Sequence, residues 1–354
     1  MANFANYPLV THGVLPTIIF LPMSAMLFRY LFLGVIQANV FTTKQDCPKV
    51  FEGKSMFQQH YLGGYLPGLE HLFCVLVVFF HPVLQPEAAS FTPFMGEFAV
   101  SLAACVVVPF FEAARTNTIF WPGFAMAMGL VYQAFTAGVT FPIFWAILHV
   151  FGPKEVQGSD IKRGRAEAVM AGIILGYFVP TLVFLMLFPS VNNIALWQPF
   201  PVYITAVGVI YRFFRSFGQA SYNTSGHRVV CLTYIFLFGI GATFHFRAWT
   251  AYDFNVTTLI NSWIPPVDIP DLAKGHVALH GSAHFLQWDA VLALGSTFLS
   301  SLWFADNIFQ AVGLLAWSAI GSIIFGPGAA ISGIFLWREI KLHRLRKAVK
   351  SVKK

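Results

Sequence analysis

Apolar runs of about 20 residues, the length needed to cross a hydrocarbon layer, recur along almost the whole chain. No other feature limits its folding options so severely, because backbone polar groups at membrane depth have to be satisfied within the segment itself, which a helix does. The runs lie near 14–37, 65–85, 94–114, 119–149, 166–188, 198–215, 229–247, 284–304 and 308–337. At 57% hydrophobic and 10% charged residues, with a mean hydropathy of +0.67, soluble composition is excluded. The expected fold class is all-α, a polytopic transmembrane helix bundle of about eight or nine spans forming one domain over 1–354. The fourth and ninth runs are long, so a kink at Pro142 and a break at Gly326-Pro327-Gly328 are expected.

The first run carries Arg29 and lacks a basic leader, so it reads as a retained span and not a cleaved signal peptide. Cys74, Cys105 and Cys231 fall within spans, leaving Cys47 alone in a loop, and no disulfide is expected. The tail "REIKLHRLRKAVKSVKK", 338–354, reads as a cytosolic segment on the membrane surface, so the net charge of +7 is no nucleic-acid signal. Alternation of nine spans leaves Lys154, Lys162, Arg163, Arg165, Arg212, Arg215 and Arg228 on the side opposite the tail. The expected location is the endoplasmic reticulum membrane with a cytosolic C-terminus, which makes Asn223, not Asn255, the luminal glycosylation sequon. The stretch "SWIPPVDIPDLAKGHVALHG" is Pro-rich and too polar to span, and the region 248–283 is expected to fold over one mouth of the bundle as a re-entrant or interfacial lid.

Five acids fall in apolar runs: Glu70, Glu97, Glu112, Asp289 and Asp306. An ionisable group at membrane depth costs several kcal/mol unless it is compensated, so each is a functional candidate. Glu70 and Asp289 both lie roughly 8 Å into their runs at 1.5 Å per residue, and neither has a cation within one helical turn. Alternation turns Glu70, Glu112 and Asp289 toward one mouth, together with Arg115, while Glu97 and Asp306 belong at the other. Glu112 and Arg115 also form an i,i+3 pair that serves equally well as a structural salt bridge, and Arg29 is a structural partner for one of the other acids. Clustered carboxyls in low dielectric do not all ionise, so such a site supplies a proton to a lipophilic substrate or relays protons in a carrier.

His276, His280 and His284 in "HVALHGSAH" recur at i, i+4 and i+8. That spacing suits metal ligation, although boxes of the HxxHH kind are absent, and polar lining of the mouth is the other reading. Of the 39 Phe, those facing the interior can stabilise a carbocation by up to about 2 kcal/mol each. Paired aspartate-rich motifs for Mg²⁺-diphosphate are missing, with only "DIPD" at 268–271, so no metal or other cofactor is expected and a diphosphate substrate is disfavoured. No P-loop, GxSxG or CxxC motif occurs.

Three blocks, "YLPGLEHLFCVLVVFFHPVL", "FFEAARTNTIFWPGFAMAMGLVYQAFTAGVTFPIFWAILHV" and "HFLQWDAVLALGSTFLSSLWF", resemble the fungal integral-membrane terpene cyclases of meroterpenoid and indole-diterpenoid pathways. The resemblance implies metal-independent protonation of a terminal epoxide or alkene on a prenylated aromatic, followed by a carbocation cascade. It assigns the proton donor and its orienting partner to Glu70 in "PGLE" and Asp289 in "FLQWD", in either order. Glu112, Arg115 and Gln133 would shape the polar mouth, with His284 and Trp288 as further substrate-binding residues. The first acid of such blocks is often Asp, and Glu here reaches one methylene further. The implied partners are membrane lipids and a lipophilic prenylated aromatic. Two other function classes suit the same residues: a proton-coupled transporter of a lipophilic metabolite, against which the lack of an internal repeat argues, and a membrane oxygenase using the three histidines.

Overall fold

The computed structural model describes residues 10–35, 46–48, 55–116, 118–121, 123–152, 159–216, 220–268 and 277–352. Thirteen α-helices form among them: α1 Leu15–Phe28, α2 Pro67–Phe80, α3 Thr92–Ala114, α4 Phe124–Phe135, α5 Ala137–Phe151, α6 Arg163–Ala171, α7 Val191–Trp197, α8 Phe200–Ser216, α9 His227–Ala251, α10 Val256–Trp263, α11 Val277–Ser301, α12 Ile308–Phe325 and α13 Pro327–Val352. Among the described residues no strand forms, and two isolated bridges, Arg115 with Ile161 and Lys162 with Ser225, are the extent of β pairing. The all-α expectation is met.

Five helical stretches are long and apolar enough to cross a membrane: His12–Val35, Thr92–Ala114, Arg163–Leu187, His227–Ala251 and Ile308–Phe325. A sixth arises if α7 and α8, bent by 54°, count as one broken span. The spans expected over 65–85 and 119–149 are made of shorter helices, α2 with 14 residues, and α4 and α5 with 12 and 15. Local chemistry sets these ends. Pro67 opens α2, where a missing N–H is harmless, and the side chains of Ser190, Asn255 and Asn307 cap α7, α10 and α12 by accepting from Asn193, Thr258 and Gln310 N–H.

The core is organised around α3. Its apolar window is 89% buried, against 11% for α12, so α3 is the central post and α12 an outer, lipid-facing helix. Small residues allow the close approaches. A Cβ on Gly328 would lie 2.5 Å from Ser101 Cα, and Gly328 N–H donates to Ser101 Oγ at 3.1 Å.

Two breaks position the rest. The long ninth run divides as expected at Gly326, whose φ of +89° an L side chain rarely adopts, and α13 folds back so that the Trp317 indole donates to Ala330 O at 2.9 Å. The fourth run departs from expectation. Pro142 lies inside α5 without ending it, and the chain turns at Thr136, a non-glycine residue with φ 69°. Ring contacts Phe124–Phe144 at 6.2 Å and Tyr132–Phe141 at 6.0 Å show that α4 and α5 form a tight hairpin with Thr136 at its tip.

Contacts sort the helix ends into two groups. At one end α13 meets the ends of α3 and α11 and the starts of α6 and α9: Arg115 pairs with Glu339, Arg346 donates to Ser159 Oγ at 2.9 Å, Lys341 donates to Phe304 O at 2.6 Å, and the His343 and His227 rings stack at 3.9 Å. The loop bearing Asn223 belongs here, since Arg163 N–H donates to Thr224 O at 2.8 Å. Asn255 belongs at the opposite end, where neighbouring Tyr252 donates to Ser90 O at 3.3 Å. The alternation that paired Asn223 with the side opposite the tail is therefore corrected: Lys162, Arg163, Arg165, Arg212, Arg215 and Arg228 all share the tail's end, while Lys154 lies outside the described residues. The reason is that the hairpin α4–α5 enters and leaves on the same side, which shifts the parity of everything after it.

A second correction concerns the cysteines. Cys47 and Cys74 form a disulfide, with Cα atoms 5.8 Å apart, while Cys105 and Cys231 are free. Cys74 lies on a short helix near the end opposite the tail and not in a full span, so a loop cysteine can reach it.

Candidate active site

Asp289 sits on α11 at the tip of the α4–α5 hairpin. Its Oδ1 accepts from Gly138 N–H at 2.5 Å, and the Ala137 N–H and the Thr136 side chain contact the same carboxyl. A helix start inside the protein thus presents its unpaired amides to one acid. Glycine is required at 138, because a Cβ there would come within 2.7 Å of Leu27 Cδ2 and 2.8 Å of Asp289 O. Thr136 is held in its uncommon conformation by its own cap, its Oγ1 accepting from Val139 N–H at 3.4 Å. Strained non-glycine residues of this kind concentrate at functional sites.

Asp289 lines a cavity of about 160 Å³. The other walls are almost wholly apolar: Phe32 from the end of the first span, Leu72, Val75, Leu76, Phe79 and Phe80 from α2, Met95, Phe98, Ala99 and Leu102 from α3, Leu185 and Trp197, and Phe285 and Leu286 beside Asp289 on α11. Tyr132, Gln133, Thr136 and Tyr177 add the few polar residues. Tyr177 is satisfied by Ala99 O at 2.5 Å, and the Gln133 amide donates to Gln198 O at 2.7 Å. Gln133 is thus in the site, as a wall residue held by the α7–α8 bend.

Glu70 is not among the lining residues of this cavity. It lies at the head of α2, two residues before the wall residue Leu72, and is buried by a local loop. Its Oε1 accepts from Leu62 N–H at 3.0 Å and Gly64 N–H at 2.7 Å, and its Oε2 meets His60 Nδ1 at 3.0 Å. Gly63 and Gly64 at φ +68° and +82° make the turn that aims those amides inward. The carboxylate therefore organises the segment preceding α2, and the expectation that Glu70 works beside Asp289 at one mouth is corrected: Glu70 is tied to His60, Leu62 and Gly64 and does not line the cavity that Asp289 lines.

Glu112 and Arg115 lie at the tail's end, away from Asp289. Fourteen residues of α3 separate Glu112 from the wall residue Phe98, roughly 21 Å of helix. There they form a buried network. Arg115 Nε donates to Glu112 Oε2 at 2.8 Å, Arg115 also pairs with Glu339 and donates to Ser159 O at 2.6 Å, and Arg338 donates to Glu112 Oε1 at 2.6 Å. The structural reading of that pair is the one the geometry supports. Sequence reasoning took Arg338 and Glu339 for exposed tail residues; the dipeptide "RE" directly after the apolar stretch "GIFLW" was the available signal.

His276 lies outside the described residues, His280 is exposed, and His284 is buried with Nε2 2.8 Å from the Tyr30 hydroxyl. Among the described residues no group of three His, Cys, Asp or Glu is arranged to hold a metal ion. His284 and Trp288 lie beside the cavity on the adjacent face of α11. They border the segment after α10, where Trp288 Nε1 donates to Pro266 O at 3.3 Å, Tyr30 to Val267 O at 2.7 Å, and Gln287 to Ser262 O at 2.7 Å. Bundle side chains thus hold backbone carbonyls of α10 and of the few residues after it, within the region 248–283. Glu97 receives Trp263 Nε1 of α10 at 3.1 Å and meets His245 Nδ1 at 2.6 Å.

Comparison with known proteins then gives the family. A family profile described as the CtvD domain matches residues 38–341. The chain belongs to the CtvD-domain family. It is similar to a terpene cyclase (ascI) of Acremonium egyptiacum, 24% identical over 78% of both chains, and to a terpene cyclase (janA) of Penicillium janthinellum, 22% identical over 79% of this chain and 81% of that one. It also matches an FAD-dependent monooxygenase (verC1) of Penicillium polonicum, 25% identical over 58% of this chain but only 27% of that much longer one. No solved structure matches. Distant members of this kind are named as cyclases, in line with the resemblance carried by the "PGLE" and "FLQWD" blocks.

Proposed function

We propose that the protein is a terpene cyclase that protonates the terminal epoxide or alkene of a prenylated aromatic from Asp289 and lets the resulting cation run along an aromatic-walled cavity. The observation that carries this reading is a single carboxyl set into an otherwise apolar chamber, held by the main-chain amides of Ala137 and Gly138. A weakly basic epoxide oxygen needs a neutral acid in a dry site, and apolar walls favour that form over the ion. The proton moves to the epoxide oxygen, the C–O bond breaks with its electron pair going to oxygen, neighbouring alkenes close on the cation, and the last cation loses a proton or is captured by an oxygen of the substrate that sheds its own, which leaves a product isomeric with the substrate. Phe79, Phe80, Phe98, Trp197 and Phe285 line the cavity, and aromatic rings so placed can stabilise a passing cation.

Two further points support the reading. A void of 160 Å³ is close to one of about 150 Å³ that takes a benzene-sized guest. It therefore suits the reacting end of a polyene, with the arene outside. The monooxygenase name on a chain of which the matching part is 27% fits an oxygenase that supplies the epoxide such a cyclase consumes. The test is to incubate membranes bearing the protein with an epoxidised farnesyl-phenol, with and without excess chelator. The expected product has the mass of the substrate and forms at the same rate in both. A product heavier by oxygen, or loss of cyclisation with chelator, rejects the mechanism.

In the same reading the tail's end lies in the cytosol of an endoplasmic-reticulum membrane. Nearly all the described Lys and Arg gather there, Arg29 and Arg247 being the exceptions, and the disulfide at the other end suits an oxidising lumen. A C-terminal tag is expected to be digested by protease in sealed microsomes without detergent; a protected tag contradicts this orientation.

A further inference from the structure

Between the span Arg163–Leu187 and α8 runs a groove of about 490 Å³, walled by Ala171, Leu175, Val207, Ile210 and Phe214 and headed by Tyr211 and Arg215. Leu175, Ile210 and Phe214 are each more than half exposed, so in a bilayer the groove meets lipid. Its head, at the tail's end, is charged. Glu167 holds two arginines at once: Oε1 accepts from Arg163 Nε at 2.7 Å and Oε2 from Arg215 Nε at 2.9 Å, while the Tyr211 hydroxyl donates to Oε2 at 3.1 Å. A third guanidinium, that of Arg212, donates to the Tyr222 hydroxyl at 3.4 Å, and the Tyr222 ring packs on Gly164, where a Cβ would come within 2.0 Å of it. Three cations thus stand against one carboxylate. Arg215 is fully engaged by Glu167 and by Ser221 Oγ at 2.9 Å. Arg163 is 46% exposed, and among the described residues its guanidinium makes its hydrogen bond through Nε, which leaves the Nη groups for a ligand from outside. A guanidinium offers two parallel N–H groups to phosphate oxygens.

We infer that this groove binds one anionic phospholipid, with an acyl chain along Leu175, Val207, Ile210 and Phe214 and the headgroup anion at Arg163 and Arg212. The two halves of the site select the ligand together. A zwitterionic lipid fills the groove but leaves the excess positive charge unmatched, and a soluble phosphate does the reverse. The cations sit where two helices of the bundle reach the membrane surface, with Tyr211 beside them, which is the depth of a lipid headgroup. This site is separate from the Asp289 chamber and does not depend on the cyclase reading.

The test is native mass spectrometry of the purified protein in detergent. It is titrated with phosphatidylserine, with phosphatidylcholine of the same acyl chains, and with soluble glycerophosphoserine. Phosphatidylserine is expected to bind more tightly than phosphatidylcholine, and glycerophosphoserine at equal concentration is expected not to displace it. Arg163→Gln is expected to weaken phosphatidylserine about fivefold, the effect of one basic side chain at an anionic surface, with phosphatidylcholine unchanged. Glu167 keeps Arg215 and Tyr211 in that variant, so the helix pair stays joined. Ala171→Phe fills the groove, leaves every cation in place, and is expected to weaken both lipids. Equal affinity for the two lipids, parental affinity for phosphatidylserine in either variant, or displacement by glycerophosphoserine would each overturn the inference.

Discussion

Replacing Asp289 by Asn is expected to reduce cyclisation by about two to four orders of magnitude, the range associated with loss of a positioned general acid, while the protein still folds. The substitution preserves shape and keeps an oxygen to accept from Gly138 N–H, so it removes the transferable proton and little else. Product formation in membranes, read alongside a thermal unfolding curve, checks this; near-normal turnover would remove Asp289 from the chemistry. Glu70→Gln provides the contrast. That carboxylate holds Leu62, Gly64 and His60 ahead of α2, and α2 supplies Leu72, Val75, Leu76, Phe79 and Phe80 to the chamber. Its loss is expected to lower activity and melting temperature together, through a displaced wall. A fall in rate at unchanged thermal stability would instead assign Glu70 a direct part in proton delivery.

The largest effect on stability is expected from Arg115→Met. Arg115 is 2% exposed and binds Glu112, Glu339 and Ser159 O at once, so removing it strands two buried carboxylates beside Arg338 alone. Breaking a buried ion pair from one side costs about 3–5 kcal/mol, because the charges left behind keep their desolvation cost without their partner. Unfolding midpoints in detergent measure this directly. The companion change, Arg115→Met with Glu112→Gln, should recover much of the loss, since it leaves one cation, Arg338, with one carboxylate, Glu339, 3.7 Å away. If the single variant were as stable as the parent, the network would have no structural weight.

Much of this was legible in the sequence, and the misses share a cause. Hydropathy alone gave the all-helical class, and Gly326-Pro327-Gly328 marked its break because glycine and proline carry their backbone preferences in their covalent structure. Thr136 carries no such mark: its left-handed φ is imposed by packing, so the hairpin stayed hidden inside one long apolar run and Pro142 drew attention instead. That single missed turn reversed the parity of the following helices, misassigned six basic residues to the wrong end, and placed Glu112 beside Asp289 when α3 holds it far away. The Cys47–Cys74 disulfide was missed for a related reason, since α2 was read as a full span, which would have placed Cys74 beyond the reach of a loop. Asp289 was singled out because the acid stood without a local cation, a signal it shared with Glu70, and it is Asp289 that lines the cavity; Gln133 came from the family resemblance alone.

The hairpin tip has an evolutionary corollary. In the proposed mechanism the seat of the proton, the Asp289 carboxyl, is held chiefly by peptide N–H groups, and these survive every substitution that keeps the bend and the small residue at Gly138. Lineages can therefore exchange nearly all the surrounding side chains, reshaping which rings close, without rebuilding the point at which the reaction begins.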